Sequence, residues 1–166
     1  MMLRSRLETV VETVQEMEFA AEAMYHEGKF RLQKRHQHAA IYLLGYAAEM
    51  WLKCAYFQLR GAALLDPIEP FLAPARTRGR SLTPAVPHEG YHSLLLWSRL
   101  IEEEWTVQGK ILPAGFVLEF QNEVVALYGM WWVEMRYRQP IVATAEAERF
   151  LRGVAWLRTN YTKLWS

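Results

Sequence analysis

Apolar residues recur along this chain at steps of three and four, the spacing that gathers them on one face of an α-helix. The longest such run, residues 38–61, places Ile41, Leu44, Ala48, Leu52, Ala55 and Leu59 in one stripe over about six turns of 3.6 residues each. An adjoining face carries His38, Tyr42, Glu49, Lys53 and Tyr56. A carboxylate and an ammonium therefore sit one turn apart in the middle of an apolar helix, where a charge needs a partner. Upstream, Leu7, Val10, Val11, Val14, Met17, Ala21 and Met24 predict a first amphipathic helix over 3–25, with Glu8, Glu12, Glu16 and Glu22 on its other face. Residues 26–37, HEGKFRLQKRHQ, contain Gly28 and a basic cluster and read as a connection into the second helix.

Residues 62–90 hold Pro67, Pro70, Pro74, Pro84 and Pro87, with Gly79 among Arg76, Arg78 and Arg80. Each proline removes a backbone donor and clashes with the preceding turn, so this stretch reads as a long Pro/Arg-rich loop. A third helix follows over 93–105, with Ser93 as N-cap and Leu94 or Leu95, Trp97, Leu100, Ile101 and Trp105 on its apolar side. Gly109 and Pro113 mark a turn. The spacing of Val117, Phe120, Val124, Leu127, Trp131 and Met135 predicts a fourth helix over 114–138, stopped before Pro140. A last helix over 145–164 starts at a Thr144 cap, with Glu146 and Glu148 in the turn where the helix dipole favours acids. No strand pair interrupts the series. The expected fold is all-α, an up-and-down bundle of four to five antiparallel helices forming a single domain over 1–166, with 62–90 as a loop within it.

Composition narrows the function classes. With 52% hydrophobic residues and seven Trp, eight Tyr and seven Phe, the chain has more ring area than a small core holds, so part of it is expected at an interface. A net charge of +1 gives no global attraction to nucleic acid, and any such contact needs a local patch. The lone Cys54 excludes an internal disulfide and any Cys-based zinc motif. The first residues alternate acids with apolar positions, so no signal peptide is expected. The most apolar window, 39–48, is about half a bilayer span. The expectation is a cytoplasmic protein without metal, cofactor or membrane.

The segments GYAAEMWLKCAYF in the second helix, GYHSLLLW opening the third and WWVEMRY near the end of the fourth resemble the HEPN superfamily of small helical bundles. The family pattern A-x-E-x-x-L-K-A is matched by Ala47 to Ala55 with Cys54 intervening, its His-containing segment by His92, and its Arg-Tyr ending by Arg136 and Tyr137. Many HEPN domains are metal-independent endoribonucleases that carry Arg, four to six residues, then His late in the bundle, paired across a homodimer. Here the last histidine is His92, so no His follows Arg136. Arg31 with His36 or His38 satisfies the spacing, but between the first two helices. The resemblance thus implies a non-catalytic homodimeric relative that binds a nucleotide, RNA or a protein partner.

Several residues carry two readings. Glu49 pairs with Lys53 and Arg136 as a structural carboxylate, or serves as a general base or ribose ligand. His36 and His38 belong to a solvated basic turn, or serve as metal ligands, or act as an acid–base pair near Glu49 with Arg31 stabilising phosphate charge. His92 packs at a helix start, or joins a site. Lys29, Arg31, Lys34 and Arg35 balance the acids of the first helix, or hold phosphates, with Arg76, Arg78 and Arg80 extending the patch if the loop folds back. Trp51, Trp97, Trp131 and Trp132 belong to the core or to a two-fold interface. Three functions remain open: a non-catalytic association module, a ribonuclease with a displaced Arg/His site, and a structural bundle unrelated to HEPN.

Overall fold

The computed structural model describes residues 12–82, 92–131 and 142–166, and among these the regular structure is six α-helices followed by a 3-10 turn. Helix α1, Val14–Gln33, opens on a capping box in which the Thr13 N–H donates to Glu16 Oε2 (2.9 Å) and the Glu16 N–H to Thr13 Oγ1 (3.2 Å). Its inward residues Val14, Met17, Ala21, Tyr25 and Gly28 continue the three-and-four spacing beyond residue 25. The expected connection over 26–37 therefore shrinks to residues 34–36. Gly28 does not break the helix because it is a contact point: a Cβ there would lie 2.7 Å from Leu44 Cγ of the next helix.

Helix α2, Gln37–Leu59, is buried on almost every side, as its near-continuous apolar sequence requires. It is the axis of the molecule, packed by α1, α4 and α6. Residues 62–68 return along the start of α1, where the Ile68 N–H donates to Glu12 O (3.0 Å) and the Gln15 N–H to Leu64 O (2.8 Å). Helix α3, Glu69–Arg80, then occupies the middle of the stretch expected to be a loop. Pro70 sits in its first turn, where the missing donor has no intrahelical acceptor anyway. Pro74 comes four residues later, so the bond it deletes is to the carbonyl of Pro70 at the exposed helix start. Buried Ala75 and Gly79 let α3 lie against α4, with a Cβ at Gly79 only 2.8 Å from Leu96 Cδ1.

Helix α4, Leu94–Gln108, is capped by Ser93, whose Oγ accepts from the Leu96 N–H (3.3 Å), and ends at Gly109 with φ 63°. Helix α5, Ala114–Tyr128, ends ten residues short of the expected 138; Trp132, Met135 and Arg136 lie outside the described residues. Helix α6, Thr144–Asn160, is capped one residue earlier than expected, by Glu146 Oε2 accepting from the Ala143 N–H (2.8 Å). The 3-10 turn Tyr161–Leu164 completes it. Short connections make α1 antiparallel to α2 and α4 antiparallel to α5. The long segment holding α3 carries the chain back, so α2 and α4 run parallel: Glu49 meets His92, Tyr56 meets Trp97 and Arg60 meets Glu104. Helix α6 is also parallel to α2, with Gln37 bonded to Thr144 at one end and Trp51 stacked on Tyr161 at the other. The all-α bundle stands, but it is not uniformly up-and-down. No helix among the described residues is long and apolar enough to cross a membrane.

Candidate functional site

Glu49, 2% exposed, is satisfied from two elements. Lys53, one turn on in α2, binds Oε1 directly, and His92 Nδ1, entering α4, lies 3.1 and 3.0 Å from Oε1 and Oε2. An ionised carboxylate only accepts, so Nδ1 carries the hydrogen and the imidazole is held by that bond. The Lys53 ammonium also lies 5.3 Å from the Trp97 ring centroid. Tyr46 closes the group, meeting His92 edge-on at 6.0 Å and Trp131 at 5.5 Å. Trp131 fits over Gly45, and its Nε1 donates to Tyr42 O (3.3 Å). Sequence spacing paired Glu49 with Lys53, and the structure shows that pair. The expected partner Arg136 lies outside the described residues, and His92 takes a place that no local pattern signals.

The basic cluster is a corner of the bundle. Lys29 and Arg31 ride on the end of α1, and Lys34, Arg35 and His36 form the turn into α2. Arg35 is left-handed at φ 61°; its N–H donates to Leu32 O and the His36 N–H to Arg31 O, both 2.9 Å, the two bonds of a Schellman ending. Arg31 is taken by Glu27 (2.7 Å) and Lys34 lies over the exposed Phe30 ring at 5.4 Å. Among the described residues no carboxylate pairs with Lys29, Lys34 or Arg35. No side chain caps the first turn of α2 either, and the buried Nδ1 of His38 has no partner.

Arg31, His36 and His38 do not meet Glu49. Glu49 is eleven steps along α2 from His38, about 16 Å along the axis. Arg78 does not extend the corner: it donates through Nε to Glu103 (2.9 Å) and reaches the buried Glu104 at 3.6 Å, beside Arg60 at the far end of α2. Its pKa is raised chiefly by that Glu103 bond. Glu104, a second buried carboxylate that the sequence reading passed over, accepts from Arg60 Nη1 (3.1 Å) and Gln108 Nε2 (3.1 Å) and ties the ends of α2 and α4 together. Trp51, Trp97 and Trp131 are core residues. Among the described residues no group of three His, Cys, Asp or Glu side chains is placed to hold a metal. Comparison of the chain with family models, with curated proteins and with solved structures finds no match.

Proposed function

We propose that the chain is a non-catalytic, homodimeric, HEPN-like association module whose α1–α2 corner holds the phosphate backbone of single-stranded RNA. The observation that carries this reading is that, among the described residues, no carboxylate pairs with Lys29, Lys34 or Arg35, beside an exposed Phe30 whose ring Lys34 approaches at 5.4 Å. Cations that track phosphates beside a ring on which a base can stack are what sequence-tolerant single-strand binding uses. The free amides opening α2 add to the attraction for an anion. A left-handed arginine costs about 1 kcal/mol or more over glycine, so its side chain has a use at this position. The two-fold contact is assigned to α5, where Leu118 and Val125, seven residues apart, are 59% and 58% exposed.

The test is fluorescence anisotropy with labelled single-stranded RNA across a salt series, with mass by light scattering in the same buffer. Wild type binds as a dimer, and its affinity falls with salt. Lys34→Ala with Arg35→Gly lowers the slope of log affinity against log salt by about 1.4, since each lost phosphate contact on a single strand contributes about 0.7. Arg35→Gly alone raises stability by about 1 kcal/mol while weakening binding. Leu118→Glu with Val125→Glu gives a monomer. Salt-insensitive binding, or an unchanged slope in the double variant, removes the corner from consideration. Cleavage that persists in EDTA and is lost in His36→Ala or His38→Ala establishes the displaced ribonuclease site instead.

A further inference from the structure

Helices α5 and α6 line a cleft of about 280 Å³. Arg149 and Arg152 of α6 stand on one wall, Asn122 and Glu123 of α5 on the other, and Leu127 with Phe150 form an apolar floor. The cleft is open here because position 153 is glycine: a Cβ would come within 2.9 Å of Glu123 Oε2 and 3.1 Å of Leu127 Cδ2. Among the described residues the side chains of Asn122, Glu123, Arg149 and Arg152 form no hydrogen bond or ion pair with the rest of the fold. Arg31, Arg60, Arg78, Arg99 and Arg158 are each ion-paired. Among the described residues Arg149 and Arg152 have no carboxylate partner, although Glu123 lines the same cleft. Two arginines three residues apart on a helix face repel each other, and an anion between them removes that repulsion.

We infer that this cleft is a binding site for a small phosphate monoester of ribose, a sugar phosphate or a nucleoside monophosphate. A guanidinium fork bonds two phosphate oxygens at once, and this wall carries two of them, Arg149 and Arg152. Glu123 accepts only and Asn122 both donates and accepts, so the opposite wall is suited to vicinal hydroxyls, and the floor to the carbon face of the sugar. The volume sits at the low end for ligand pockets, which favours one phosphate over a di- or triphosphate. The site is distinct from the α1–α2 corner in residues and in elements.

Isothermal titration with ribose 5-phosphate, AMP, ribose and inorganic phosphate tests it. Ribose 5-phosphate and AMP bind near or below about 1 mM, where a few charge-assisted contacts place a small ligand. Arg149→Ala and Arg152→Ala each weaken both at least about tenfold, and Glu123→Gln weakens the ribose esters while strengthening inorganic phosphate. AMP binding without ribose 5-phosphate binding also supports the site and adds the base to what is recognised. Failure of both esters to bind, or inorganic phosphate binding as tightly as either, overturns it. Both arginines are exposed, so their variants keep the wild-type melting transition. They also keep the salt dependence of RNA binding, which separates failure of this site from failure of the RNA-binding corner.

Discussion

Glu49 shows how a single buried charge constrains what surrounds it. Its carboxylate is satisfied by an ammonium from its own helix and an imidazole from the start of α4. Removing one donor leaves a charge in a place that water reaches poorly. Lys53→Met is expected to cost about 3 kcal/mol, read as a lower urea midpoint. Glu49→Gln with Lys53→Met is expected to cost less than the two single changes summed, because the double variant leaves no orphaned charge. Strict additivity would mean that the two groups do not act as a pair. The Lys53 contact was legible in the sequence because a four-residue step on a helix is local. The His92 contact was not, since it depends on α4 docking parallel to α2 across a separation of 43 residues. The same reason hid Arg60 and Glu104, whose 44-residue separation closes only once the helices are placed.

At the level of elements, periodicity located the helices and misjudged where they yield to packing. Gly28 read as a break and Pro74 as a barrier, yet α1 runs through the first and α3 through the second. At Gly28 the close approach of Leu44 outweighs a local propensity of about 1 kcal/mol, whereas Pro74 is tolerated because the bond it deletes falls at the exposed helix start. Gly45 is the strictest of these contacts. A Cβ there would lie 2.1 Å from Trp131 Nε1 and 2.2 Å from Cδ1. Gly45→Ala therefore expels the indole, losing its bond to Tyr42 O and its edge contact with Tyr46. The expected cost is about 2–3 kcal/mol, with a red-shifted tryptophan emission as Trp131 meets water. An unchanged spectrum with unchanged stability would show that α2 and the end of α5 have room to separate. Ser93, by contrast, was a local signal correctly read, since its hydroxyl answers an amide three residues away in the same turn.

Three groups buried in or against the central helix give the molecule an alkaline sensitivity, while Lys110, whose pKa burial lowers, contributes in the opposite sense. Burial raises the Cys54 thiol above its ordinary 9.0 and the Tyr56 phenol above its ordinary 10.0. Tyr161, stacked on Trp51, is raised by burial and then by the Glu18 carboxylate. In each case the unfolded chain loses its proton at a lower pH than the native one. The native state therefore holds more protons above the ordinary values, and stability falls as pH rises. These contributions are complete below pH 9 and begin to disappear above it, first through Cys54 and then through the two tyrosines. Each group adds a slope of up to about 1.4 kcal/mol per pH unit until its native pKa is reached. Urea unfolding across an alkaline series is expected to show a plateau to about pH 9 and a steepening decline beyond 10. Cys54→Ala delays the onset by about one pH unit, and Tyr56→Phe flattens the steeper limb while leaving the neutral-pH fold intact. A decline that ignores both substitutions would leave Tyr161 or groups away from α2 as its source. The composition alone supplied one cysteine and eight tyrosines without saying which of them face water. Their titration becomes a property of the whole bundle because α2 lies at its axis, closed in by α1, α4 and α6.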